Sequence, residues 1–397
     1  MNTQHRSPTS RPWLIVMPSA ILVLLGMIWS AFWYWSTTAA EATMTAWRAH
    51  EAEAGRVYGC ATTNFGGYPF RIEVDCAEPS VDDRATALSI RAHNLAAVAQ
   101  VWDPTLVIGE MLGPLTVAPL GGSPTVTVDW ALAQASLRGT PGAPERLSIV
   151  IDKPNLATAP SGVALATAEH LELHGRFAAE STPGHPVLDL ALDLKNATAP
   201  ALVSALGSFG PLASASSDLS LVAVLRGASD LAPKPLGQRL REIQAAGGRL
   251  DITNVRLQQG DLIATATGAL GLTARGTLSG DLRLTVVNFT KLVPLLGISR
   301  AVAQAVPQDT LNRFAPTLDR LMPGLANVLR SNAGSAGSTA PLGDGAKPDM
   351  NTALGAAVVG GQPTELEGQR AVTLTLRFDD GVAFLGPLKV GQVPPLY

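Results

Sequence analysis

Hydrophobic and polar positions divide this chain into two regimes. From Trp13 to Trp35 it reads WLIVMPSAILVLLGMIWSAFWYW, with no charged residue. A bilayer core takes about 20 apolar residues in helix, and Pro18 and Gly26 are tolerated inside such a helix. Ser36–Arg56 is rich in Ala and Glu and lacks proline, which predicts a helical stalk leaving the membrane. Beyond it the period changes to two. Phe70, Ile72, Val74 and Cys76 alternate with Arg71, Glu73 and Asp75. Val126, Val128, Trp130 and Leu132 are expected on one face of a single strand. RLSIVID follows the Thr140–Pro144 turn, and HLELHGRF repeats the pattern. Leu188, Leu190, Leu192 and Leu194 alternate with Asp189, Asp193 and Lys195, and Leu219 and Leu221 belong to a further strand, DLSLVAVLRG. Arg249–Phe289 reads as strand, turn, strand, turn, strand, opened by Leu250, Ile252 and Val255. AVTLTLRF, the turn DDG and VAFLGPLKVG predict a closing hairpin.

The fold class expected is mainly β: a large curved antiparallel sheet or a β-sandwich-like periplasmic domain, with a few short helices and an N-terminal transmembrane helix. The expected organisation is a cytoplasmic tail (1–12), an anchor (13–35), a stalk (36–56) and a β-rich periplasmic domain (57–397). Two helical pieces interrupt the strands. Pro235–Gly248 places Leu236, Leu240 and Ile243 on one side and ends in glycine. Ile298–Arg330 carries a narrow apolar stripe broken by Pro307, Pro316 and Pro323, and is read as packing on the sheet. Ser331–Asp349 is low in complexity and is read as a flexible excursion.

Charge adds an orientation. Arg6 and Arg11 precede the apolar run, which puts the amino terminus in the cytoplasm, and Trp29, Trp33, Tyr34 and Trp35 cluster at its far end, where amphipathic rings sit at headgroup level. The competing reading is a cleaved signal peptide with AEA at Ala40–Ala42. The run is longer than the usual 7–15-residue apolar region of such peptides, which favours a retained anchor. The formal net charge of −3 offers no basic surface to nucleic acid.

The two cysteines, Cys60 and Cys76, lie in the stretch CATTNFGGYPFRIEVDC. An exported domain can hold them as a disulfide. Val57–Cys60 is expected to pair with the strand ending at Cys76, with Gly66 and Gly67 free for positive φ in the bend. A bridge closing a loop of this size contributes about 3 kcal/mol in the chain-entropy model. The spacing is not C-x-x-C, so a structural staple is read rather than a redox pair, and two cysteines alone do not close a zinc site.

Candidate chemistry is sparse. His170, Glu172 and His174 share one face of a strand, but strand positions i and i+4 are about 13 Å apart, too far for one ion. They read as polar residues on a wet face. H-E-x-x-H, G-x-x-x-x-G-K-[ST] and G-x-S-x-G are absent, and the Gly268–Gly276 glycines lack the following helix of a dinucleotide site. No catalytic, cofactor-binding or metal-binding residue is nominated, and a non-enzymatic role is expected.

The anchor, the block GGYPFRIEVDC and the terminal DDGVAFLGPLKVGQVPPLY together resemble an uncharacterised domain-of-unknown-function family of bacteria. Its members look like single-pass inner-membrane proteins with their bulk in the periplasm, and the resemblance covers most of the chain. It brings no catalytic residues. More remotely, the anchor and the Gly-rich L-x-L-x-G meander look similar to AsmA-like envelope proteins, a likeness that implies long curved sheets with an apolar groove, phospholipid movement and envelope homeostasis. The function expected is therefore binding or shielding of phospholipid in an apolar β groove for envelope maintenance, in contact with inner-membrane lipid. Leu188, Leu190, Leu192, Leu194, Leu219, Leu221, Leu250 and Ile252 are the candidate lining. The alternative is an anchored scaffold that docks another envelope protein.

Overall fold

The computed structural model describes residues 13–140, 143–182, 185–203, 211–230, 234–289, 361–386 and 388–397. Helix α1 (Trp13–Glu53) is continuous over 41 residues, so the expected anchor and stalk form one rod roughly 60 Å long. It is long and apolar enough to cross a membrane, and its apolar window is nowhere buried against the rest of the chain. Gly55, at φ +88°, turns the chain back, and Arg56 begins the first strand.

The next strands weave between two antiparallel sheets. β1 (Arg56–Gly59) opens the smaller sheet, and β2 (Thr62–Gly66) with β3 (Arg71–Ala77) forms the first hairpin of the larger. β4 (Ser80–Asp83) and β5 (Leu88–Arg91) return to the smaller; β6 (Asn94–Gln100) and β7 (Asp103–Leu112) to the larger. β8 (Leu115–Pro119) and β9 (Val126–Asp129), then β12 (Asn155–Thr158) and β13 (Ala164–Thr167), complete the smaller sheet. β10 (Leu132–Thr140) and β11 (Ala143–Asp152), then β14 (His170–Phe177) and β15 (Leu188–Ala197), extend the larger.

Each passage between sheets is a two-residue link, such as Cys60–Ala61, Glu78–Pro79, Trp130–Ala131 or Lys153–Pro154. Hydrogen bonding continues through these links: the Ala61 amide donates to the Ala77 carbonyl (2.8 Å), Glu78 to His93 (3.0 Å), Ala131 to Asp152 (2.9 Å) and Lys153 to Glu169 (2.9 Å). The two sheets are thus the two arms of one meander of long strands, bent along a common line. Glu78 and Lys153 make the bend at φ 47° and 51°, in the left-handed region that is uncommon outside glycine.

Past the bend region the larger sheet continues alone. α2 (Pro211–Ser214) precedes β16 (Ser217–Arg226), and α3 (Leu236–Ala245) precedes β17 (Arg249–Gln259), β18 (Leu262–Leu272) and β19 (Leu278–Val287). β20 (Gln362–Leu366), β21 (Gln369–Asp379), β22 (Val382–Leu385) and β23 (Leu388–Gln392) finish it. In this last third Ile252, Leu262, Val286, Leu374, Leu376 and Leu385 pack into one closed core, with Val286 and Leu385 at 0% exposure. Gly268 of β18 and Gly280 of the neighbouring β19 are at φ +149° and +140°, and a Cβ on either would meet the other strand's carbonyl oxygen at 2.1 Å.

Three expectations need correction. Val57–Cys60 does not pair with the strand of Cys76: β1 pairs with β4, and β3 lies between β2 and β6. The bend at Cys60–Ala61 sends the two halves of that long strand into different sheets. Val126–Leu132 is likewise two strands: Val126 and Val128 lie in β9 of the smaller sheet, whereas Leu132 opens β10 of the larger, beyond the link at Trp130–Ala131. Gly66 lies inside β2, and only Gly67, at φ +95°, supplies the positive dihedral of the turn. The Pro235–Gly248 helix is present as α3 with Ile243 buried, whereas Ile298–Arg330 and Ser331–Asp349 lie outside the described residues.

Candidate functional site

Residues directly opposite one another in a sheet share a face, so the register identifies what each face presents. One transverse row of the larger sheet runs Val74, Ala97, Gly109, Ala135, Ile149, Leu173, each paired with the next. It continues Leu192, Leu221, Val255, Ala266, Leu284, Leu374. Every member is apolar or glycine. The neighbouring row on the other face runs Asp75, Ala96, Glu110, Gln134, Val150, Glu172, then Asp193, Ser220, Arg256, Thr265, Thr285, Thr373, and is dominantly polar.

The apolar face is uniform in chemistry but not in burial. In the C-terminal third it is the closed core. Over β11 and β14 it is partly open: Leu147 is 40% and Leu173 37% exposed, while Val107, Ala135, Leu137 and Ile149 beside them are half-buried. Between Val101 and Val187 the only fully buried apolar side chains among the described residues, proline aside, are alanines. Leucines of an apolar sheet face left more than a third in water are the feature of the larger sheet that departs most from an ordinary sandwich, whose inner faces cover each other.

The predicted lining residues all fall on this apolar face. Leu192 pairs with Leu221 and Leu194 with Leu219, while Leu188 and Leu190 stand opposite Leu225 and Ala223, the same two residues that face Leu250 and Ile252 from the other side. The structure separates them by burial. Leu188–Leu194 and Leu219 are half-buried; Ile252 belongs to the closed core, and the half-buried Leu221 and Leu250 both pack against it. Leu147, Ile149 and Leu173, the centre of the open region, were not singled out by sequence reasoning. Their alternation within RLSIVID and HLELHGRF was visible, but alternation gives a face and not its cover.

On the polar face, the cluster around Glu172 is a hydrogen-bonded string. His170 Nδ1 lies 2.6 Å from Asp152 Oδ1, its Nε2 lies 2.9 Å from Glu172 Oε1, and His174 Nε2 lies 3.2 Å from Glu172 Oε2. An imidazole flanked by carboxylates on both nitrogens donates twice only as the cation, and the bonds to Glu172 and then Asp152 raise the His170 pKa. The same bonds, from His170 and then His174, lower that of Glu172. No group of three His, Cys, Asp or Glu side chains among the described residues is arranged to hold a metal ion.

Cys60 and Cys76 are joined, with Cα atoms 5.4 Å apart. The bridge ties the first bend to β3, and the Arg48 guanidinium of α1 lies 3.3 Å from the Cys60 sulfur. The Trp47 and Tyr58 rings meet at 4.7 Å, tilted by 43°, and Glu51 pairs with Arg56. The upper part of α1 is therefore fixed to the edge of the bent sheet.

No curated protein and no solved structure matches this chain. A family model described as an uncharacterized protein conserved in bacteria spans residues 33–394, from the end of the apolar run to the last strand. The upper part of α1, the stapled first bend and the closing hairpin lie within the matched span, and the chain is a member of the DUF2125 family.

Proposed function

We propose that this protein is a non-catalytic, single-pass inner-membrane protein that holds lipid acyl chains on the open apolar face of its larger sheet, for maintenance of the bacterial envelope. The observation that carries the reading is the transverse apolar row, continuous over many strands yet 37% exposed at Leu173 near its centre and flanked in the next row by Leu147 at 40%. Exposing such a face to water is costly, at about 25 cal/mol per Å² of apolar surface, and acyl chains are the chemistry that covers it. The basic residues before α1 support a cytoplasmic amino terminus, and the disulfide supports an oxidising, periplasmic site for the sheets.

The test uses the full chain reconstituted in vesicles containing a phospholipid with a photoreactive group in mid-chain. Cross-links mapped to β11, β14 and β15 are the expected result. Cross-links confined to α1 would refute the lipid reading and favour an anchored scaffold that docks another envelope protein.

A further inference from the structure

Aromatic side chains are distributed unevenly along the β region. Beyond α1, only three described aromatic residues are exposed: Tyr68 at 58%, Phe70 at 57% and Trp102 at 57%. They belong to two turns at one end of the larger sheet, the β2–β3 turn and the β6–β7 turn. They also adjoin one another. The rings of Phe70 and Trp102 are 6.4 Å apart, and the Val101 amide donates to the Phe70 carbonyl at 3.1 Å.

These turns are bound to a particular level of the membrane helix. The Trp29 indole donates to the Pro69 carbonyl (2.8 Å), the Trp33 indole to the Arg71 carbonyl (2.7 Å), and the Ser30 and Tyr68 hydroxyls lie 2.8 Å apart. Trp29 approaches Phe70 at 6.0 Å, and Trp33 meets Tyr68 edge-on at 5.3 Å. At 1.5 Å per residue, Trp29 and Trp33 stand about 24 and 30 Å along the helix from Trp13, where the apolar run begins. A hydrocarbon core is about 30 Å thick. The hydrogen bonds therefore fix the two turns at the plane where α1 leaves the hydrocarbon. Tyrosine and tryptophan rings concentrate at that level because one end is apolar and the other forms hydrogen bonds. The exposed Arg71 guanidinium next to them pairs with Glu73 at 2.9 Å.

We propose that Tyr68, Phe70 and Trp102 complete, with Trp29 and Trp33, an aromatic collar seated in the headgroup layer, so that the turn end of the larger sheet rests on the bilayer and the smaller sheet is held away from it. The opposite end of the molecule fits this polarity. The β8–β9 and β12–β13 turns of the smaller sheet, around Leu120 and Val163, carry no aromatic residue. The collar stands on the contacts of α1 and not on lipid bound to the apolar face, so either proposal survives failure of the other.

The experiment labels the full chain, reconstituted in phosphatidylcholine vesicles, at one introduced cysteine at a time. There is no free cysteine to compete among the described residues, and Cys60 and Cys76 stay joined. An environment-sensitive fluorophore is placed at Phe70→Cys, Trp102→Cys, Leu120→Cys or Val163→Cys, all exposed positions. Quenching is read with nitroxide lipids labelled at the headgroup or deep in the chain. Labels at 70 and 102 are expected to be quenched several-fold more by the headgroup nitroxide than labels at 120 and 163, and more than by the deep one. Equal, weak quenching at all four sites, or stronger quenching of 70 and 102 by the deep nitroxide, would overturn the collar. A disulfide-dependent shift in gel mobility, retained by every variant, shows that each is folded around Cys60–Cys76.

Discussion

Leu173→Asp separates an open apolar face from a closed one. Leu173 stands between Ile149 and Leu192 in the transverse row and keeps 37% of its surface in water. Full burial of a leucine is worth about 1.5–3 kcal/mol, so the part buried here accounts for about 1–2 kcal/mol, an upper bound. No cavity term is added, because water reaches the site, and a carboxylate there remains hydrated. The lipid-free fold should therefore lose no more than about 2 kcal/mol. Leu385→Ala, in the closed core at 0% exposure, should cost about 2–5 kcal/mol, because a cavity is left behind. An acyl chain on the face meets the new charge directly. Even about 1.4 kcal/mol of lost contact lowers occupancy tenfold, and dehydrating a carboxylate costs more than that. The assay is photo-cross-linking of the full chain to mid-chain-labelled phospholipid, read beside urea unfolding. Val222→Asp is the control, because Val222 is exposed on the opposite face. Cross-linking at β11 and β14 should fall at least tenfold in Leu173→Asp and stay unchanged in Val222→Asp. Unfolding of Leu173→Asp as severe as that of Leu385→Ala, or cross-linking within twofold of the parent chain, would refute the reasoning.

Three further outcomes follow from particular contacts. Replacing both Cys60 and Cys76 by serine removes a bridge of sequence separation 16 and should lower unfolding free energy by about 3 kcal/mol in urea titrations, the same loss that a reductant produces in the parent chain. The raised His170 pKa contributes stability that is complete below the ordinary value of 6.5 and is lost as pH rises through the raised value; the lowered Glu172 pKa contributes stability present above 4.5 and lost as pH falls. The Glu172→Gln penalty should therefore peak between those two values, at about 0.2–1 kcal/mol for side chains this exposed, and fade at higher pH; a flat penalty from pH 5 to 9 would contradict the hydrogen-bonded string. Gly280→Ala, at φ +140° with its Cβ 2.1 Å from the Ala269 carbonyl oxygen, combines backbone strain with overpacking and should cost about 2–6 kcal/mol, seen as a lowered unfolding midpoint.

The β class, the three-strand array at Arg249–Phe289, the closing hairpin and the disulfide were legible in the sequence, because a period of two and a turn chemistry are local properties. The bend was not. Each passage between arms is a two-residue link within a run that still alternates, so Val126–Leu132 looks like one strand until its halves are seen in different sheets. The link at Trp130–Ala131 is held by partners further along the chain, such as the Asp152 carbonyl that receives the Ala131 amide. The first bend misled in the same way: Cys60 looks like the end of a strand paired with that of Cys76, whereas it is the link where the edge strand changes sheet, and the disulfide fastens that link.

What covers a face is less legible still. Leu173 and Leu374 occupy the same transverse row with the same side chain, yet one keeps 37% of its surface in water and the other 3%. Alternation is identical around both. The difference arises because β16–β23 pool their inner side chains in one core, while β7–β14 share their bend with the smaller sheet and contribute only alanines to the fully buried set between Val101 and Val187 apart from Pro186. A uniform apolar pattern over strands of unequal closure leaves the remaining apolar surface on the half of the larger sheet that also carries the edge fixed to α1. The partly exposed leucines and the helix long and apolar enough to cross a membrane are thus on the same half of the larger sheet, the arrangement that the proposed lipid function requires.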